Sequence, residues 1–147
     1  MAHERTYTYV STVRKGTDGQ AEVVFGGPGR LAIGPPPEFG GRPDSLNPEE
    51  LFVAAINGCL MTTFFYFLRS SNIELRFYEA DAEGEVQKGR DGLQFVDVQV
   101  RATAIAEEPS VAEKVRELAA LAEKYCLVSR SVSCPVHYHL HVEVSEE

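Results

Sequence analysis

The stretch "NPEELFVAAINGCLMTTFFYFLRS", residues 47 to 70, constrains the fold more than any other part of the chain. Read as a helix it is apolar on almost every face, which predicts an element surrounded by other structure rather than laid along a surface. Its start is well marked. Asn47 suits the N-cap, Pro48 suits the first helical position, and Glu50 falls three residues after the cap, where a carboxylate can complete a capping box. The densest apolar run, 51 to 68, is interrupted by Asn57, Gly58, Cys59, Thr62 and Thr63. A membrane span needs about 20 mostly apolar residues; the run falls short of that and reads as a core helix, with the thiol of Cys59 near its middle.

At 147 residues the chain is long enough for one domain with a proper core, and the expectation is a single domain over 1–147. Its 44% apolar content, with charges spread along the length, is that of a soluble globular protein. The formal charge of −8 argues against nucleic acid as the main partner, because neutralising phosphates takes a basic face. The start, "MAHERTYTYV", has no apolar signal region, so a cytoplasmic location is expected. Cys59, Cys126 and Cys134 form an odd set, which reads as reduced thiols rather than a disulfide framework.

Two β-prone runs, residues 6 to 13 and 21 to 26, flank the turn "RKGTDGQ". A long glycine- and proline-rich loop follows, with room for one short strand at 30 to 33. Its glycines lack the GK[ST] ending of a phosphate loop. After the central helix, strands at 77 to 87 and 93 to 106 flank "KGRDG"; Val96, Val98, Val100, Ala102 and Ala104 take one face of the second. A second helix is expected over 109 to 126, with Val111, Val115, Leu118, Ala122 and Cys126 in its apolar stripe. The last run alternates strictly: Cys134, Val136, Tyr138, Leu140, Val142 and Val144 on one face, His137, His139, His141 and Glu143 on the other. The order is β-β-(β)-α-β-β-α-β, an α+β domain.

Same-face histidines on a strand are roughly 6.6 Å apart, loose for one metal ion, and a solvated polar face explains them as well. Cys134 shares its face with five apolar residues and reads as core. Glu49 and Glu50 both favour a helix N-terminus by roughly 0.3–1 kcal/mol, but Glu50 can cap alone, which leaves Glu49 without a necessary structural role. Cys59 admits two readings, a small core residue or a sheltered reactive thiol. On a straight helix Glu49 and Cys59 lie about 15 Å apart axially and differ by roughly 80° in direction. A shared site would therefore need a second subunit.

The segment "NPEELFVAAINGC" resembles the signature of the OsmC/Ohr superfamily of thiol peroxidases, an N-P-E before an apolar helix with a cysteine ten residues after the glutamate. Glu49 and Cys59 match that spacing, "LAEKYCLVSR" places Cys126 where the family's second cysteine ends a later helix, and the order of elements matches over essentially the whole chain. The resemblance implies an intertwined homodimer with sites at the subunit interface. It also implies reduction of organic hydroperoxides by a cysteine pair, without metal or organic cofactor. Cys59 would attack the O–O bond and become a sulfenic acid, Cys126 would resolve it to a disulfide, and an external dithiol, in the family often lipoyl-based, would reset the pair.

The family also supplies an arginine beside the reactive thiol, held by the glutamate that matches Glu49. Arg42 is the first choice for it, Arg14 the second, and Arg30 is also available. "AEKYCLVSR" lacks the Cys-Pro pair typical of the better understood branches, so the chain resembles a less characterised branch. Apolar neighbours such as Leu60, Phe64 and Phe65 imply alkyl or lipid hydroperoxides as substrates, with no part for nucleic acid or membrane. The rival expectation is a non-catalytic protein of the same fold that binds a small apolar or thiol ligand at a dimer interface.

Overall fold

The computed structural model describes residues 4–16 and 21–145. Part of the turn expected after the first strand, including Thr17, lies outside them. The described chain divides into two compact units between Leu51 and Phe52.

The first unit holds an antiparallel sheet of three strands in the order β1-β2-β3, with β1 Ser11–Lys15, β2 Ala21–Phe25 and β3 Arg30–Ala32. The first strand, expected over 6 to 13, starts only at Ser11 and runs on to Lys15, and the short third strand is present. Its register sets Arg14 opposite Glu22 and Arg30 opposite Val24. Side chains two apart share a face, so both guanidiniums stand on the face that carries Glu22. The proline-rich segment contains one 3-10 turn, Pro37–Phe39. Gly41 is obligatory there, since a Cβ would lie 1.6 Å from the Pro35 carbonyl oxygen. At the start of the long helix α1, Pro48–Ser70, Asn47 caps as expected, but Glu50 answers to the Asn47 side chain rather than to its backbone N–H. The Asn47 carbonyl oxygen Oδ1 accepts from the Glu50 N–H at 2.7 Å, and the Asn47 amide donates to the Glu50 carboxylate.

The second unit holds β4 Leu75–Gly89, β5 Gly92–Ala106, α2 Ala112–Tyr125, α3 Leu127–Arg130 and β6 Val136–Val144. Strand order is β4-β5-β6, with β4 antiparallel to β5 and β5 parallel to β6. A parallel neighbour needs a crossover, and α2 with α3 supplies it. From α1 the residues Ile56, Leu60, Phe64 and Leu68, spaced four apart, enter the core with Val98, Val100, Val115 and Ala122. Each large apolar side chain so buried contributes roughly 1.5–3 kcal/mol.

Three expectations need correction here. First, α1 buries one stripe within the chain rather than its whole circumference: Phe65 is 39% and Tyr66 57% exposed. Second, α1 is by length and composition long and apolar enough to cross a membrane, contrary to the expectation that its apolar run is too short; in this fold its buried stripe packs in a protein core. Third, Val96 does not share the inward face of β5. A register shift leaves it unpaired between Asp97 opposite Glu85 and Phe95 opposite Val86. That bulge turns Phe95 inward, where its ring stacks on Phe52 at 4.3 Å. Gly84 makes the close approach feasible, because a Cβ there would sit 2.8 Å from both Phe95 and Val53.

The histidine face of β6 is satisfied by neighbours. His137 bonds Asp97 at 3.1 Å and His139 bonds Gln99 at 2.8 Å. Among the described residues no group of three or more His, Cys, Asp or Glu is placed to hold a metal ion.

A candidate thiol site

The second helix differs from expectation at the residue that matters most. The sequence predicts one helix from 109 to 126; instead a 3-10 turn at Pro109–Val111 leads into α2, which stops at Tyr125. Cys126 is extended, with φ −61° and ψ 115°, and the chain re-enters a helix at Leu127. In an unbroken helix the N–H groups of Leu127, Val128 and Ser129 would be committed to carbonyls four residues back. The break releases them, and the first bond inside α3 is Arg130 N–H to the Cys126 carbonyl at 3.1 Å.

Those released donors meet two sulfurs. The backbone N–H groups of Val128 and Leu127 and the Cys126 thiol lie near enough to the Cys59 Sγ to favour its ionised form. Thr63, one helical turn after Cys59, brings its Oγ1 to 3.8 Å from the same sulfur. Burial pushes the Cys59 thiol up, but the Val128 N–H, the Cys126 thiol, the Thr63 hydroxyl and the Leu127 N–H together bring it below the ordinary thiol range.

Cys126 behaves in the opposite sense. It is fully buried, and burial is the main reason its thiol is pushed above the ordinary value. The Ser129 hydroxyl, donating to its Sγ at 3.2 Å, and the Ser129 N–H work against that rise, while the neighbouring Cys59 sulfur adds to it. The two neighbouring thiols thus have unequal tendencies to ionise, Cys59 more readily and Cys126 less. Below them, Tyr138 and Tyr78 share a hydroxyl–hydroxyl hydrogen bond of 2.6 Å, and Phe64 packs against both rings.

The other residues named from the sequence lie elsewhere. Arg42 is held by Asp44 through two parallel hydrogen bonds, 3.0 Å from Nε and 2.9 Å from Nη2. That arginine keeps the Asp44 carboxyl below its usual range. Arg14 bonds Glu22 at 3.0 Å, and Arg30 approaches the same carboxylate oxygen at 3.7 Å. Glu49 Oε1 is buried without a hydrogen-bond partner among the described residues, a condition that calls for a donor. Cys134 lies in the hydrophobic core of the second unit, as expected. The sequence reading missed Thr63 and Ser129, although each stands at helical spacing from its cysteine, four and three residues on.

Comparison with known proteins bears on what this arrangement is. The profile of the OsmC-like protein family matches residues 41–141, more than half of the chain and inclusive of both site cysteines. The chain belongs to the OsmC-like family. The OsmC-like architecture extends beyond the matched segment. An OsmC-like protein of Vibrio cholerae superposes with a TM-score of 0.80 at 19% identity, covering 92% of this chain and 100% of that one. An organic hydroperoxide resistance protein OsmC of Legionella pneumophila superposes with a TM-score of 0.71 at 23% identity, covering 96% and 100%. These likenesses establish the α+β OsmC fold. An uncharacterised protein of Methanocaldococcus jannaschii is 25% identical over 100 residues, which is 68% of this chain but only 51% of that relative. This OsmC-like chain thus matches about half the length of that relative.

Proposed function

We propose that this protein is a cysteine-dependent peroxidase that reduces organic hydroperoxides to alcohols. What supports the reading is the nearness of two thiols of opposite tendency, Cys59 held below and Cys126 above the ordinary thiol range, with the Ser129 hydroxyl 3.2 Å from the Cys126 Sγ. In the first step the Cys59 thiolate attacks the terminal oxygen of ROOH. The O–O bond breaks, an S–O bond forms, and the alkoxide takes a proton to leave as ROH. In the second step the Cys126 sulfur attacks the Cys59 sulfenic acid; its proton and the departing hydroxide leave as water, and a disulfide remains. An external dithiol, lipoyl-based by analogy with the family, then takes the disulfide back to two thiols while becoming a disulfide itself.

A second copy of the chain belongs to this proposal. The apolar flank of α1 that the single chain leaves open, with Phe65 and Tyr66, suits an intertwined homodimer. The unpartnered oxygen of Glu49 suits the family's arginine. The rival, a non-catalytic protein that binds an apolar or thiol ligand, draws support from one observation: Arg42, Arg14 and Arg30 all engage carboxylates of their own unit.

The deciding experiment is mass spectrometry of reduced protein after one equivalent of cumene hydroperoxide, beside Cys59→Ser and Cys126→Ser. Catalysis gives a Cys59–Cys126 disulfide in the wild type and a trapped or over-oxidised Cys59 in Cys126→Ser. An unmodified Cys59 under both cumene and hydrogen peroxide would leave the binding reading in its place.

A further inference from the structure

The four residues of α3 divide their donors between the two sulfurs. The first two N–H groups, of Leu127 and Val128, act on Cys59, lowering its thiol. The third N–H, of Ser129, faces Cys126, and Ser129 alone adds a side-chain donor, its hydroxyl 3.2 Å from the Cys126 Sγ. That hydroxyl has no structural duty in the helix, since the Ser131 hydroxyl, not that of Ser129, bonds back to a carbonyl, that of Leu127. Cys126 is fully buried, so no water offers the same service from solvent.

We propose that Ser129 is a positioning residue for the resolving step, a role that rests on the peroxidase reading above. A thiol sulfur that accepts the Ser129 O–H keeps its own S–H free to turn toward the neighbouring Cys59. Ser129 thus leaves the Cys126 proton available in that direction before the reaction. As Cys126 attacks the sulfenic acid, an S–S bond forms, the S–O bond of Cys59 breaks, and the hydroxide leaves with the proton from Cys126 as water. Negative charge passes through the Cys126 sulfur on the way, and a hydroxyl donor already in place stabilises it. No equivalent demand falls on Ser129 in the first step, which takes place at the Cys59 sulfur. The consequence is separable kinetics, with resolution dependent on Ser129 and peroxide attack independent of it.

The test is a single-turnover reaction of the full-length reduced protein with cumene hydroperoxide. Sulfenic acid is trapped with dimedone, and the disulfide is measured separately by mass spectrometry. Ser129→Ala is expected to leave Cys59 oxidation within about twofold of wild type and to slow disulfide formation by about tenfold, the effect of one hydrogen bond to a developing charge. Dimedone-trapped and over-oxidised Cys59 should accumulate, and Ser129→Thr should restore resolution. Disulfide formation at the wild-type rate in Ser129→Ala, or equal loss of both steps, would overturn the proposal. A peroxide-independent measurement keeps it distinct from the peroxidase reading. In a Cys59→Ser/Cys134→Ser background Cys126 is the only thiol, and its thiolate absorbance can be followed against pH. Ser129→Ala should move that titration up by about one pH unit and Ser129→Thr should return it. An unmoved titration overturns the role of Ser129 even if peroxidase turnover is found, and a moved one supports it even if wild-type Cys59 resists peroxide.

Discussion

Leu127 has a backbone N–H near Cys59 that helps to lower its thiol, a donor that proline at the same position would lack. The residue before it, Cys126, is already extended at φ −61° and ψ 115°, the conformation that a following proline prefers. Leu127 is also the first residue of its helix, where proline is well tolerated. Leu127→Pro should therefore fold normally yet remove one donor from beside the Cys59 thiolate. The Cys59 titration, followed by thiolate absorbance, is expected to rise by up to about one pH unit. A titration that stays in place would mean that the Val128 N–H suffices alone.

The unequal thiols set an order of reaction. Cys59 lies below the ordinary thiol range and Cys126 above it, so Cys59 is the thiol that ionises more readily. Iodoacetamide should label Cys59 at least about tenfold faster than Cys126. Peptide mapping of a time course checks this, and equal labelling would contradict the asymmetry.

Tyr138 gives the fold an alkaline limit. Burial first, and then the Tyr78 hydroxyl and the nearby Cys126 and Glu123 charges, push its phenol far above the ordinary value of 10.0. A group raised in the folded state contributes stability that is present below its unfolded value and lost as pH rises beyond it. Unfolding midpoints in urea should therefore fall as pH passes about 10. Tyr138→Phe should flatten part of that fall while costing roughly 1 kcal/mol at neutral pH for the lost hydroxyl contact.

Gly84 tests the packing of α1 on the bulged strand pair. A methyl group there would meet Phe95 and Val53 at 2.8 Å, and the Phe95 ring is already stacked on Phe52. Gly84→Ala should destabilise by about 1–3 kcal/mol, read as a lower denaturant midpoint with an unchanged slope.

Much of this was legible in the chain. The cap at Asn47 and Glu50 follows from side-chain chemistry at fixed offsets, and alternation found the inward residues of β6. The expectation that Cys59 pairs with Cys126 came only through resemblance, because no local pattern joins residues so far apart. Periodicity was blind to the break at Cys126: Val115 and Cys126 are eleven residues apart, close to three helical turns, so the apolar stripe continues as though the helix did. The inward face of β5 failed at Val96 because one extra residue reverses every assignment on its far side. The parallel pairing of β5 with β6 depends on where the crossover helices lie, which alternation within a strand does not encode.

The chain between Cys59 and Cys126 contains all of β4, β5 and α2. A covalent link across that span would close a loop large enough to destabilise the unfolded chain by about 4 kcal/mol. Oxidation and reduction of the pair would then be a mechanical cycle as well as a chemical one, with the molecule cinched after each peroxide and slackened by each reductant. Its melting temperature would serve as a gauge of the redox poise around it.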